Sequence, residues 1–478
     1  VKSFFTLILS AFLLTSQLVK AQTAENWTLE KCIDYALKNN LQIRQSYVTA
    51  KMASADHLQS KLNVLPTIDV SGNFADNFGN GFNPETYSFA QGSSQALQLQ
   101  LNGSVPLFMG LQQVYNVDRA KYDLLASQYD YETAQNNVAL NVASAYLQIL
   151  LNQEIEKVSE QQKAYSESQK ATTQQRISAG ALPEAAIYDI ESQIGRDEVN
   201  VVNAKNSVEL SKLALEQLLQ IKEDPLFSIG TPDVKADNMA DIASISSPAV
   251  YEYALNNQPV IKSADARVKS ADFARKISYG TLSPTISAFG SLSTSYFSQD
   301  KKILGTSDYQ FNDSILYMGQ YYKFSLPVPG NVQYGNYSFF GDMQNNFRQV
   351  VGLSIDIPLF SRGQKFIGIQ KAKLQLELRQ LQLDASKNQL RQDIEQAYAN
   401  AKAAAESYLA NQKSLEAAQK AYNSTESRFK AGAASNYDMQ QVKNNLIAAQ
   451  SDMLRAKYTY VFRMKILDFY QGKPITLN

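Results

Sequence analysis

Apolar residues step along this chain with two periods, and the change of period marks out its parts. Val138, Val142, Ala145 and Ile149 step by four, three and four; Ile394, Ala397, Ala401, Ala404 and Tyr408 step by three, four, three and four. Each set makes a coiled-coil-like stripe, and its alanines let a neighbouring helix approach closely. Gln, Asn, Lys and Glu flank the stripes, as on wet helix faces. No proline lies between 107 and 182 or between 359 and 473. A proline costs ~3 kcal/mol inside a helix, so both gaps admit very long helices. The first, over 112–178, would be about 100 Å long at ~1.5 Å per residue.

Both long helices end alike, in Arg176-Ile-Ser-Ala-Gly180 and Arg428-Phe-Lys-Ala-Gly432. Glycine just past a helix caps it, and arginine suits the negative end of its dipole. Pro183 opens a return helix to about 221, and another runs from near Ser435 to Tyr470. A further helix precedes each hairpin: 29–63, capped by Thr28, and 248–281, opened by Ser247 with Pro248. Laid end to end, two of the shorter helices would match one long one.

Between Pro66 and Pro106 the period falls to two. Ile68, Val70 and Phe74 alternate with Asp69, Ser71 and Asn73; Leu97, Leu99, Leu101 and Val105 alternate with Gln98, Gln100, Asn102 and Ser104. Between Pro284 and Pro358 it does so again: Ile286, Ala288, Leu292 and Tyr296 on one strand, then Val351, Leu353, Ile355 and Ile357 opposite Arg348, Ser354 and Asp356. Alternation means a sheet with one wet face, in a soluble core or elsewhere.

The chain is therefore one unit written twice. Ala36, Leu37, Asn39, Ile43, Pro66 and Gly72 recur as Ala254, Leu255, Asn257, Ile261, Pro284 and Gly290; Pro106-Leu107-Phe108 recurs as Pro358-Leu359-Phe360. The two offsets differ by about 34 residues, an insertion in the second copy where chain length is unconstrained. It falls in an outer loop, 298–345, rich in Tyr, Phe, Asn and Gly, which reads as an extended hairpin or loop outside a membrane. The first repeat spans 22–245: a helix, a β-hairpin 67–106, a helical hairpin 112–221 and a linker 222–245. The second spans 246–478: a helix, a β-hairpin 285–358 and a helical hairpin 363–470.

Residues 1–21 read as an export signal: Lys2, an apolar run from Phe4 to Leu14, and Val19-Lys20-Ala21 before the cut. The chain carries 45 basic and 45 acidic residues, and loss of this segment removes only lysines. That is no polyanion-binding balance, and no nucleic-acid partner is expected. Cys32 is the only cysteine, so no internal disulfide forms, and it reads as a stray helix thiol. His57 is the only histidine and reads as a solvated imidazole. One His and one Cys cannot build a usual metal cluster, and no glycine-rich phosphate loop occurs; neither cofactor nor enzyme chemistry is expected.

Four strands of about ten residues suit a tilted crossing of an outer membrane. In lipid an open edge costs several kcal/mol per unpaired group, so the sheet must close. Four strands are too few for a known barrel, but copies can share one: two chains would give about eight strands, three about twelve. The strands alone do not choose between these numbers.

With the duplicated unit, the Val105-Pro-Leu-Phe and Ile357-Pro-Leu-Phe strand ends and the paired Arg-x-x-x-Gly turns in place, the chain resembles the TolC-like outer-membrane efflux protein family. The resemblance covers essentially the whole chain after the signal. It implies an α+β membrane protein: a homotrimer with a shared twelve-stranded barrel in outer-membrane lipid and a helical tunnel in the periplasm. The implied function is a passive gated channel of a tripartite efflux or type I secretion system, working with a periplasmic adaptor and an inner-membrane transporter. Asp69, Gln98, Gln100, Asn102, Ser104 and Asp356 would line the lumen, and Pro66, Pro106, Pro284 and Pro358 would mark strand–helix junctions. The gate would lie at the turns, with Arg176, Gly180, Arg428 and Gly432. The family commonly has an acid six positions past the turn glycine. Asp438 fills that position in the second copy. Ala186 departs from it in the first, where Tyr188 and Asp189 follow nearby; Gln441 replaces a second acid. A surface-exposed structural or adhesive stalk without transport is the alternative.

Overall fold

The structure is a computed structural model, and it describes residues 26–83, 88–222, 227–230, 232, 242, 245–306, 309–328, 330 and 332–476. The expected export signal and most of the expected linker lie outside these residues. The first repeat holds β1 (Asn26–Trp27), α1 (Leu29–Asn39), α2 (Leu41–Leu62), β2 (Thr67–Asn83), β3 (Ser88–Met109), α3 (Gln112–Ser178), α4 (Ala186–Leu219) and β4 (Ser228–Ile229). The second holds α5 (Ser247–Asn257), α6 (Pro259–Gly280), β5 (Thr285–Phe297), β6 (Lys301–Thr306), β7 (Tyr309–Tyr317), β8 (Gln320–Val328), β9 (Val332–Asn336), α7 (Phe339–Asn345), β10 (Arg348–Asp356), α8 (Gln364–Lys430) and α9 (Asn436–Tyr470). The long helices α3 and α8 have 67 residues each.

The single helices expected over 29–63 and 248–281 are each two. Thr28 caps α1 as expected, its hydroxyl accepting the Lys31 N–H at 3.3 Å. The chain then turns extended at Asn40, whose side-chain oxygen accepts the N–H groups of Gln42 (2.9 Å) and Ile43 (3.4 Å) and so caps α2. Its side-chain nitrogen donates to the Leu218 carbonyl at 2.9 Å. In the second copy Gln258 is extended at the equivalent place, because a residue before proline is pushed out of the helical region. Ser246, one residue before the expected cap, is the cap of α5.

Two compact units are present: residues 1–55, 121–270 and 376–478 form one, and 56–120 with 271–375 the other. The first is helical. Leu29, Cys32 and Ala36 of α1 meet Val138, Val142, Tyr146 and Ile149 of α3, Leu215 and Leu219 of α4, and Val461 of α9. The Tyr146 hydroxyl donates to the Gly230 carbonyl at 2.7 Å and also lies 3.1 Å from that of Trp27, tying β1 and β4 to the core. Burial pushes the Cys32 thiol up to about 12, so it stays a protonated core side chain. The second copy repeats the pattern with Ile394 against Val250, Ala254 and Ile261, and with Ala397 and Ala401 beside Met464 and Leu467.

The second unit is built on a four-stranded antiparallel sheet, ordered β10-β5-β3-β2. Its first hairpin is longer than the ten or so residues per strand expected: β2 has 17 residues and β3 has 22. Of the two readings of the outer segment, extended hairpin or loop, the paired one holds. In it β6 pairs with β9 and β7 with β8, around a turn at Met318 and Gly319, and α7 follows. The strands meet their helices through left-handed pairs, Gly110-Leu111 in one copy and Arg362-Gly363 in the other. At the first, backbones touch: a Cβ on Gly110 would lie 2.5 Å from the Gly280 carbonyl oxygen. His57 is half-buried rather than solvated, because α2 turns its Nδ1 inward.

Candidate functional site

Two places carry the chemistry the sequence singled out: the sheet, and the tips of the helical hairpins.

In the sheet, register decides which side chains share a face. Thr67, Asp69, Ser71 and Asn73 of β2 stand opposite Ser104, Asn102, Gln100 and Gln98 of β3. Gln98, Gln100 and Asn102 stand opposite Ser295, Ser293 and Ser291 of β5; Ser293, Ser287 and Thr285 stand opposite Arg348, Ser354 and Asp356 of β10. One polar face therefore runs across all four strands and holds Asp69, Gln98, Gln100, Asn102, Ser104 and Asp356 together. The Asn102 amide donates to Asp69 at 3.3 Å, and the Thr67 and Ser104 hydroxyls lie 3.1 Å apart. Phe289 is an apolar exception on this face, and its ring lies over Gly352, where a Cβ would come within 2.7 Å.

The other face carries Ile68, Val70 and Phe74, Leu97, Leu99 and Leu101, Ile286 and Leu292, and Val351, Leu353 and Ile355. Val70 is 74% exposed and Val351 90%. A soluble sheet buries such a face against a core; among the described residues only α7 touches this one, with Phe339 against Tyr296 at one end of β5, and the rest is open. Pro66 and Pro284 stand just before β2 and β5, and Pro358 just after β10. Pro106 lies inside β3 beside a register shift between Pro106 and Phe108, a place where a missing N–H is tolerated.

At the tips, α3 and α8 end identically. Gly180 (φ 72°) and Gly432 (φ 78°) are left-handed. The Gly180 and Ala181 N–H groups donate to Ile177 (2.9 Å) and Arg176 (2.8 Å); those of Gly432 and Ala433 donate to Phe429 (3.0 Å) and Arg428 (2.8 Å). This is a Schellman closure, and it fits glycine because L side chains resist positive φ. The Arg428 guanidinium also donates to the Ala433 carbonyl at 3.3 Å. Arg176 instead lies over the Phe429 ring, 5.1 Å from its centroid, joining the first-repeat tip to the second.

The acids differ between the tips for a structural reason. Asp438 forms a capping box with Ser435: its carboxylate accepts the Ser435 N–H (3.0 Å) and hydroxyl (2.6 Å), and its own N–H donates back at 3.2 Å. The Ser435 hydroxyl, then its backbone N–H, and then nearby Arg428 hold this carboxyl below its ordinary value, so it is charged. In the first copy the equivalent positions are Pro183 and Ala186. The first copy thus lacks both members of the pair that makes the capping box in the second. There α4 starts at Ala186 rather than at Pro183, after a tight turn in which the Ala186 N–H donates to Pro183 at 3.0 Å, and no side chain caps it. Tyr188 and Asp189 fall in its exposed first turn.

One group escaped the sequence reading. In the first unit Asp197 of α4 is 2% exposed and accepts from Ser166 (2.6 Å) and Gln162 (3.4 Å) of α3 and from Gln193 (2.8 Å). The signal was polar residues at helical spacing on the inward stripe, 162 with 166 and 193 with 197. Among the described residues no group of three or more His, Cys, Asp and Glu could hold a metal. None of the described helices is long and apolar enough to cross a membrane, which says nothing of a β-barrel.

A four-stranded β-sheet with one polar face and one largely open apolar face, in a chain that also holds duplicated long helical hairpins, defines a class: a chain of an outer-membrane channel. The chain belongs to the outer membrane efflux protein family, which it matches over residues 32–219 and 250–468, one segment in each repeat. The outer membrane efflux protein BepC of Brucella suis is 23% identical over 455 residues, 95% of this chain and 87% of that one. The outer membrane protein TolC of Vibrio cholerae is 23% identical over 466 residues, covering 96% and 93%. In fold, the Campylobacter jejuni CmeC outer membrane channel superposes with a TM-score of 0.72 at 18% identity, over 94% of this chain and 86% of that one. The chain is thus an outer-membrane efflux channel and not an enzyme. Its place is the bacterial outer membrane, with a large periplasmic part. Family membership decides for the channel over the stalk.

Proposed function

We propose that three copies of the chain share one closed barrel and work as a passive, gated conduit, coupled through a periplasmic adaptor to an inner-membrane transporter. The observation that carries this is the sheet order. β2 and β10 are its two edges, and neither has a partner on its outer side among the described residues. Neighbouring strands alternate in direction across the four, so β10 of one copy meets β2 of the next antiparallel, and any whole number of copies closes the ring. Three copies give about twelve strands and a lumen, lined in this reading by Asp69, Gln98, Gln100, Asn102, Ser104 and Asp356. These side chains stay hydrated and need no further partners.

The turns at Gly180 and Gly432 are the gate and the docking surface for partners in this reading, with Arg176, Tyr188, Asp189, Arg428 and Asp438 beside them. A ring of Asp438 carboxylates, one per copy, would constrict the conduit and attract cations. Replacing Asp438 by Ala should then raise single-channel conductance in planar bilayers. Ser435→Ala loses the same cap and keeps the charge, and should leave conductance unchanged. Equal conductance in both variants and the parent would remove Asp438 from the gate.

A further inference from the structure

One buried cation of the first unit lies outside both the hydrophobic core and the turns at the hairpin tips. Lys443 of α9 is 7% exposed, and its ammonium nitrogen has no hydrogen-bond partner. It lies over the ring of Tyr165 of α3, and that ring meets Tyr422 of α8 at 6.4 Å, edge to face. Helices of both hairpins thus converge on one side chain a few turns from the tips. The charged and titratable groups around it are Tyr165 from α3, Asp197 from α4, and Tyr422 and Glu426 from α8. None of the acids is available as a direct partner. Asp197 accepts from Ser166, Gln162 and Gln193, and Gln193 in turn holds Arg196 at 2.7 Å. Glu426 pairs with Lys430 at 3.3 Å. An ammonium whose only partner is a ring face is costly in a dry site, because the ring returns only part of the lost hydration, whereas a neutral amine on that face loses far less.

We propose that Lys443 is a proton-operated latch between the two helical hairpins: neutral, it holds them together; protonated, it draws in water and lets them part. The latch acts on the gate described above and rests on that reading. Its sign follows from burial, which lowers the lysine from 10.5 to about 7 in the closed arrangement, against the weaker opposing pull of Asp197 and Glu426. Opening exposes the amine to water and restores its ordinary affinity for a proton. The open form therefore binds the extra proton between about pH 7 and pH 10, and there each unit of falling pH favours opening by up to about tenfold. Below about pH 7 both forms are protonated and the dependence flattens.

The test is open probability in planar bilayers from pH 7 to pH 10, for the full protein and two variants. Wild type should open progressively as pH falls through this window. Lys443→Met should stay closed at every pH. Lys443→Arg, which keeps its charge throughout, should stay open at every pH. Channels whose pH slope survives in both variants overturn the latch and leave the channel reading standing. Absence of any channel from wild type at every pH overturns that reading, and the latch with it.

Discussion

Asp438 shows how one side chain can answer a local need and a collective one. Its bonds to Ser435 start α9, and its charge is what a gate would use. The sequence displayed the acid and its missing counterpart at Ala186, but not the reason. That needed the bond to Ser435, whose counterpart Pro183 has no side-chain oxygen to offer. Lys443 and Asp197 were illegible for a similar reason, since a lysine among Gln and Asn reads as a wet helix face until a neighbouring helix covers it. The strand residues were readable, because a period of two leaves no freedom once the register is known. They also give a clean test. Cys32 is buried and held protonated, so introduced thiols report alone. Gln100→Cys should react with a charged, water-soluble thiol reagent and block current, whereas Leu101→Cys should not. Equal reaction at both would contradict the face assignment.

Helices and strands were read well where their pattern was long, and less well at their joints. α3 and α8 followed from the stripe and the proline gaps. The breaks at Asn40 and Gln258 did not, although Pro259 marked the second; the first depends on the Asn40 side chain bonding both ways. The outer segment was legible as an insertion and as an extended hairpin or loop, but which residues pair was not, because aromatic residues mixed with Asn and Gly leave no clear alternation. Its pairing is nevertheless self-contained: β6 bonds β9 and β7 bonds β8, and neither pair bonds the four-stranded sheet. Excision of residues 301–336, closed by a short glycine-rich turn, should therefore leave the assembly intact in a native gel of detergent extracts. Loss of assembly would show that the hairpin holds copies together.

For the assembled protein, the duplication has a physical reading. Each repeat supplies one β-hairpin to a membrane sheet and one helical hairpin, and the membrane forbids the sheet to remain open. The apolar face was legible from the sequence as one side of an alternating pattern. That among the described residues only α7 touches it, at the Tyr296 end, became visible only in the structure, and so open an apolar face separates a membrane sheet from a soluble one. The central claim is that β10 of one copy bonds β2 of the next. Within one chain these edges are separated by two strands, about 14 Å at ~4.8 Å per step. A disulfide needs Cα atoms within roughly 7 Å. Cysteines placed together at Ser71 on β2 and at Val350 or Ser354 on β10 should thus join only different copies. Oxidised in outer membranes and run on a denaturing gel, they should give covalent dimers and trimers and nothing larger. A product confined to monomers, or a ladder running past three, would contradict the shared three-copy barrel.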